Sequence, residues 1–243
     1  MNANDGNHVA SSNPYWQENC SPIHVADDMV DLAFTITCRS LPVDHAWALS
    51  QAIQERLSWW HTEPHVGLHL IHGGDSGNGW QRPEKGSDMI YLTKRTRLTL
   101  RLPRSRLADA RSALVGQTLT IANSSLITGE ALERRLVYQP ALYARHVVVS
   151  NVTDDESVFL ADAARELQAM AVRFKKMLAG KLNVLMTPKG PCVTRSLLVA
   201  DLRPEDAIEL QRRGLGPRRI LGCGLFIPHK ALADTDRFSV LIS

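Results

Sequence analysis

Apolar and polar residues begin to alternate at Val30, where Val30, Leu32, Phe34, Ile36 and Cys38 interleave with Asp31, Ala33, Thr35 and Thr37. A period of two predicts a half-buried strand. Pro42 and Asp44 then supply a helix start, with Asp44 as the N-cap. Leu49, Ile53, Leu57 and Trp60 recur at helical spacing, so a first helix is predicted over Asp44–Trp60, ended by Pro64 and Gly67. Val66–His72 reads as a short strand and residues 73–79, Gly-Gly-Asp-Ser-Gly-Asn-Gly, as a loop. Strands follow at Met89–Thr93 and Arg95–Leu102. In the second, Leu98, Leu100 and Leu102 face one way and Arg95, Arg97, Thr99 and Arg101 the other. A short helix at Leu107–Leu114 and strands at Thr118–Ile121 and Leu132–Tyr138 complete this half.

The second half repeats the plan. Tyr143–Ser150 is a strand, and Glu156–Leu178 a long helix with Leu160, Ala163, Ala164, Leu167, Met170, Ala171 and Phe174 on one face. Asn183–Met186 and Thr194–Ala200 form a hairpin around Pro188-Lys189-Gly190-Pro191, Arg203–Arg213 is a helix, and Cys223–Ile227 is a closing strand. Each half is thus strand–helix–strand–strand–helix–strand. The predicted fold is α+β, two tandem ferredoxin-like (RRM-like, βαββαβ) domains. Residues 1–29 form a flexible tail, 30–140 the N-terminal domain and 141–243 the C-terminal domain, with Pro140 at the boundary.

Composition narrows the function classes only modestly. Of 243 residues 44% are hydrophobic and 22% charged, ordinary values for a soluble globular chain, and no apolar run reaches the roughly 18 residues of a membrane span. The Asn-, Ser- and Gly-rich start lacks the apolar stretch of a signal peptide. The four cysteines show no paired spacing, which fits free thiols in a reducing cytoplasm. The net charge of +3 is less telling than its distribution. Lys94, Arg95, Arg97, Arg101, Arg104 and Arg106 lie between Leu92 and Leu107 with no acid among them. Such a strip repels itself unless a polyanion covers it. Lys175, Lys176, Lys181 and Lys189 form a second basic zone.

The strongest local motif is Gly214-Leu215-Gly216-Pro217-Arg218-Arg219-Ile220-Leu221-Gly222-Cys223-Gly224, a pair of Gly-x-Gly units five residues apart around two arginines. Backbone N–H groups beside arginine can seat phosphate oxygens. The order helix–loop–strand excludes the dinucleotide fingerprint, and no Lys-Ser/Thr follows the last glycine as the P-loop requires. His61, His65, His69 and His72 suggest zinc by spacing, but Pro64 and Gly67 interrupt the helix that would align them.

Duplicated ferredoxin-like units with this glycine run before an apolar strand resemble the RAMP superfamily of CRISPR-associated proteins. Leu41-Pro42-Val43-Asp44-His45, Trp60-His61, Val66–Ile71 and the Arg95–Pro103 strand make the chain most similar to its repeat-RNA-processing endoribonucleases. The resemblance covers about Val30–Pro228. It implies metal-independent cleavage of CRISPR repeat RNA by 2′-hydroxyl attack, leaving a 2′,3′-cyclic phosphate, with no cofactor. It also implies a cytoplasmic protein that stays on the repeat or guide RNA hairpin beside other effector-complex subunits of the RAMP backbone. It further implies that the catalytic residue is His45 or His61. A histidine in the first turn of a helix is kept neutral by the dipole, as a base requires. Lys94, Arg95, Arg97, Arg101, Gly214, Gly216, Arg218, Arg219, Gly222 and Gly224 are the expected RNA contacts. The alternatives are a RAMP subunit that holds the guide RNA 3′ hairpin without cutting, and a metal-dependent hydrolase built on the histidine cluster.

Overall fold

Val30, Leu32 and Phe34 are fully buried, and they make β1 (Met29–Thr37) the central strand of the first sheet. A computed structural model describes residues 28–72, 89–149 and 155–229. Of the tail expected at 1–29, residues 1–27 lie outside these residues, as do the loop at 73–79 and the end of the 143–150 strand, whereas Met29 is already buried in β1. After β1 come β2 (Ser40–Pro42), α1 (Ala46–Gln54), β3 (Gly67–His69), β4 (Met89–Tyr91), β5 (Arg97–Pro103), α2 (Leu107–Leu114), β6 (Thr118–Ile121) and β7 (Ser124–Arg135). The second half holds β8 (Ala141–Val147), α3 (Glu156–Ala169), β9 (Lys176–Thr187), β10 (Gly190–Ala200), α4 (Pro204–Arg213) and β11 (Ile227–Pro228).

The five-stranded sheet runs β3-β5-β1-β7-β6 and the four-stranded sheet β11-β8-β10-β9, while β2 and β4 pair apart. In each large sheet the first strand of the unit lies between the third and the last, the ferredoxin-like order, and the pairings are antiparallel. The fold is α+β with two such units in tandem, as the hydrophobic pattern predicts. Each sheet packs its helices on one face over its own core. Phe34, Leu49, Ile53, Trp60 and Leu100 belong to the first core, and Leu142, Phe159, Leu167, Leu197 and Phe226 to the second. Burying side chains of this size contributes about 1.5–3 kcal/mol each.

Two helices end earlier, and the closing strand starts later, than periodicity predicts. α1 stops at Gln54, where three-residue hydrogen bonds (Arg56 N to Ile53 O, Trp60 N to Leu57 O, both 3.0 Å) enter beside a four-residue one (Leu57 N to Ile53 O, 2.9 Å), yet Leu57 and Trp60 still reach the core. α3 stops at Ala169 because Ala171 turns left-handed (φ +58). Phe174 and Met177 continue to pack on the same core from an extended chain, so their spacing mimicked a longer helix. The closing strand is Ile227–Pro228, not Cys223–Ile227, since Gly222 and Gly224 hold φ of +85 and +67, outside the strand region.

A buried arginine bridges the two halves. Arg101, on β5, is 1% exposed; its Nε and Nη2 donate to the Asp31 carboxylate on β1 (2.8 and 2.9 Å). Its Nη1 donates to the carbonyls of Gln211 and Phe226 in the second half, both at 2.9 Å. Asp31 also meets His69 Nε2 at 3.3 Å. Burial works against the Asp31 charge, but Arg101 and His69 outweigh it and hold the carboxyl well below the usual carboxylate range.

Candidate functional site

α4 carries Pro204 at its start, Glu205 and Asp206 in its first turn and Arg212 and Arg213 in its last, all matched to the helix dipole. It delivers the chain into the glycine loop at Gly214. Packing dictates the glycines that follow. A Cβ on Gly216 (φ +72) would stand 2.0 Å from the Val148 carbonyl oxygen, and one on Gly224 (φ +67) 2.0 Å from that of Leu215. The loop is closed by its own backbone: Gly214 N–H donates to Leu210 O, Leu215 N–H to Gly224 O, Gly222 N–H to Arg219 O and Gly224 N–H to His146 O. The expected phosphate seat on the amides of Gly214, Gly222 and Gly224 is therefore corrected, because those donors are spent on protein carbonyls.

The two loop arginines part company. Arg218 is exposed, in a left-handed turn (φ +66), beside the thiols of Cys192 and Cys223. A hydrogen bond from the Cys223 thiol and the Arg218 charge, working against burial, bring Cys192 down to about 6. Arg219 turns inward instead. Its Nη2 donates to the carbonyls of His65 (2.6 Å) and Arg212 (3.1 Å), and its Nε to that of Val66 (3.3 Å). Burial, followed by the Arg101 charge, lowers it to about 9, so it remains protonated at neutral pH while fastening the loop to the start of β3.

His45 caps α1 and is 3% exposed. Its Nδ1 lies 2.9 Å from Pro42 O, and its Nε2 lies 3.2 Å from Ile71 N. A backbone N–H can only donate, so Nε2 is the acceptor and Nδ1 bears the proton. Three elements converge beside it, at Ala46. Ala46 packs with Leu185, Cys192 and Cys223, drawing the helix start against the β9–β10 hairpin and the glycine loop. Asp44, expected as the N-cap, instead reaches across to accept the Met186 N–H at 3.2 and 3.3 Å. His61 is exposed in the turn past the far end of α1, close to where Arg106 stacks on Trp59 and pairs with Glu63. α1 is about 13 Å long at 1.5 Å per residue, so the structure does not bring His45 and His61 together. Among the described residues no three His, Cys, Asp or Glu side chains gather as a metal ligand set.

A cleft of about 280 Å³ opens between the two sheets. Its walls carry Arg97 and Thr99 from β5, His69 from β3, Arg134 from β7 and Tyr143 and Arg145 from β8, with His72 and Gly222 at one side. Asp31 is the one carboxylate among these lining residues, and it is already engaged by Arg101 and His69. Tyr143 tilts against His229, ring centroids 5.8 Å apart. Of the basic strip expected on one strand, Arg97 lines the cleft. Lys94 and Arg95 stand exposed in the turn before β5. Arg101 corrects that expectation: its guanidinium is buried and bonded on every nitrogen, so it is not an RNA contact as folded. Arg134, Arg145 and Tyr143 were not singled out from the sequence. Tyr143 and Arg145 occupy alternate positions opposite Leu142 and Ala144, a signal for a polar sheet face; Arg134 has no comparable mark.

A family model described as Cas6 Crispr matches residues 30–231. The chain belongs to the Cas6 family. It is similar to the CRISPR-associated endonuclease Cas6 of Myxococcus xanthus, 31% identical over 199 residues, 82% of this chain and 81% of that protein. Among solved structures, one described as a RAMP protein binding different RNA substrates superposes with a TM-score of 0.59 at 12% identity, over 83% of this chain and all of that one. A Cas6-related protein from Pyrococcus furiosus gives 0.57 at 13% identity, over 84% of this chain and 99% of that one. These two likenesses concern the fold. No helix among the described residues is long and apolar enough to cross a membrane.

Proposed function

We propose that this Cas6-family chain is a metal-independent endoribonuclease that cuts CRISPR repeat RNA. It uses the ribose 2′-hydroxyl as nucleophile and remains on the repeat hairpin as a subunit of a cytoplasmic effector complex. The observation that carries the reading is the tautomer of His45. The Pro42 carbonyl holds the proton on Nδ1 and leaves Nε2 as an acceptor, which is the state of a general base. The base sits where the helix start, the glycine loop and the hairpin converge, with Arg218 as an exposed cation for the phosphorane charge. The 2′-oxygen attacks phosphorus as its proton passes to Nε2. The bond from phosphorus to the 5′-oxygen breaks, and that oxygen is protonated as it leaves, giving a 2′,3′-cyclic phosphate and a 5′-hydroxyl. Nε2 becomes available once the Ile71 N–H contact opens. Apo geometry of this kind does not rule out a base, because catalytic contacts often form only with substrate. The cleft with Arg97, Arg134 and Arg145 supplies sequence-independent phosphate grip.

Burial of the His45 ring favours a second reading, a RAMP subunit that holds guide RNA without cutting it. Incubation with a repeat hairpin RNA in EDTA, with and without a 2′-deoxy substitution at the cut, separates the two. Cleavage in EDTA that disappears with the 2′-deoxy substrate supports the nuclease, and tight binding without cleavage supports the subunit. His45→Ala should slow single-turnover cleavage by about a hundredfold or more. A normal rate in that variant with loss in His61→Ala would transfer the role to His61.

A further inference from the structure

His65 is the residue at this end of the molecule that neither the cleft nor the His45 site uses. It lies between α1 and β3, exposed, with φ of +63, a left-handed backbone that a non-glycine side chain rarely adopts. Non-glycine residues held in such regions persist where their surroundings over-determine them, and they cluster at functional positions. Here the clamp is Arg219, which ties the carbonyls of His65 and Val66 to the C-terminal end of α4.

The charges that act on the His65 ring are those of Arg212, Arg213 and Glu209 from α4 and Arg219 from the glycine loop. They are not equivalent. Arg212 is engaged by Asp28 and Glu209. Arg219 is occupied by three carbonyls. Arg213 remains 43% exposed, with Glu209 no nearer than 3.7 Å. The surroundings are therefore net cationic. Partial burial, then Arg219, Arg213 and Arg212, push the His65 ring below its ordinary value, with Glu209 opposing. From His65 to His69 in the cleft is about 13 Å of extended chain.

We propose that His65 and Arg213, backed by the fixed charge of Arg219, form a second seat for an RNA phosphodiester, outside the inter-sheet cleft and at the other end of β3. The inference rests on RNA being the ligand of this protein. A phosphate there replaces the missing counter-charge, so RNA binding draws a proton onto His65. The sign follows: in free protein the ring is neutral at pH 7, the bound phosphate stabilises its cationic form, and affinity rises as pH falls from neutrality through the ordinary histidine value of 6.5.

Two variants and one spectroscopic measurement on the full chain test this. Arg213→Ala should weaken equilibrium binding of a repeat hairpin RNA about three- to tenfold and reduce the salt slope by about one. His65→Asn keeps a side chain that tolerates the left-handed backbone. It should bind like wild type above neutrality and lose the gain in affinity at lower pH. In wild-type protein the His65 ring resonances should titrate below the ordinary histidine range and move upward when RNA is added. The proposal is overturned if RNA leaves that titration unchanged, or if Arg213→Ala binds with wild-type affinity and slope while Arg97→Ala and Arg134→Ala bind weakly. An equal upward shift with inorganic phosphate alone overturns the assignment to RNA. Failure of the cleft variants to weaken binding, with His65 also silent, removes the RNA reading itself.

Discussion

Arg97 and Arg101 lie on the same strand, two pleats apart, and point to the same face of the first sheet. Arg101 is closed off between the halves with Asp31 and two carbonyls as partners, whereas Arg97 lines the open cleft and caps the carbonyls of its own preceding turn. What separates them is what stands opposite. Asp31 pairs directly with Arg101 across β1 and β5, and Thr35 pairs with Arg97. A carboxylate partner and a covering second unit turn one arginine into a structural joint. Their absence at the other leaves a positive charge facing the cleft. A run of arginines along a strand is therefore not one binding surface. It is a series of positions whose roles depend on the neighbouring strand.

The largest test of that contrast is removal of the joint. Arg101→Ala strands the Asp31 carboxylate and two buried carbonyls, and breaking a buried pair in this way costs about 3–5 kcal/mol. Thermal or urea unfolding should show that loss, and any loss of RNA binding should track the fraction unfolded. A variant that melts like wild type and yet releases RNA would place Arg101 among the ligand contacts and erase the distinction.

The same joint predicts a pH dependence. The Asp31 carboxyl is held below the ordinary aspartate value of 3.8 in the folded protein, with burial opposing and Arg101 and His69 prevailing. A depressed carboxylate contributes stability that is present above 3.8 and lost as pH falls below it toward the folded value. The contribution is on the order of 2–3 kcal/mol. Asp31→Asn should flatten the fall in melting temperature over that acid window. An unchanged acid profile in the variant would mean that other carboxylates govern acid unfolding.

Much of this architecture was legible in the residue pattern. Alternation from Val30, the helix at Leu107–Leu114 and the turn at Pro188-Lys189 mark the duplicated unit, because burial on one face writes a period into the chain. Element ends were less legible, since Phe174 and Met177 occupy the same core whether their backbone is helical or extended. The site was harder still. Asp31 was visible only as one of the interleaved positions of an alternating strand, and its meeting with Arg101 is a contact across 70 residues. Ala46, next to His45, packs with Leu185, Cys192 and Cys223, which come from the other half. Local spacing carries no trace of such contacts. The cleft arginines Arg134 and Arg145 became a group only when two sheets from different halves faced each other.

The smallest expected effect is the most specific to the open side of the comparison. Arg97, Arg134 and Arg145 reach the cleft from three strands, so on the proposed function each would contribute a share of a distributed electrostatic grip. Replacing Arg97 or Arg134 singly by Ala should leave unfolding within about 0.5 kcal/mol of wild type, as for surface positions generally. Each should weaken RNA binding about three- to tenfold at moderate salt and lower the salt slope by about one, because one fewer counterion is released. The loss should be similar for repeat and unrelated single-stranded RNA, since phosphate contacts position the ligand without reading its sequence. A loss confined to the repeat would show that these arginines read bases. A loss of stability in either variant would show that the cleft wall, like Arg101, belongs to the joint.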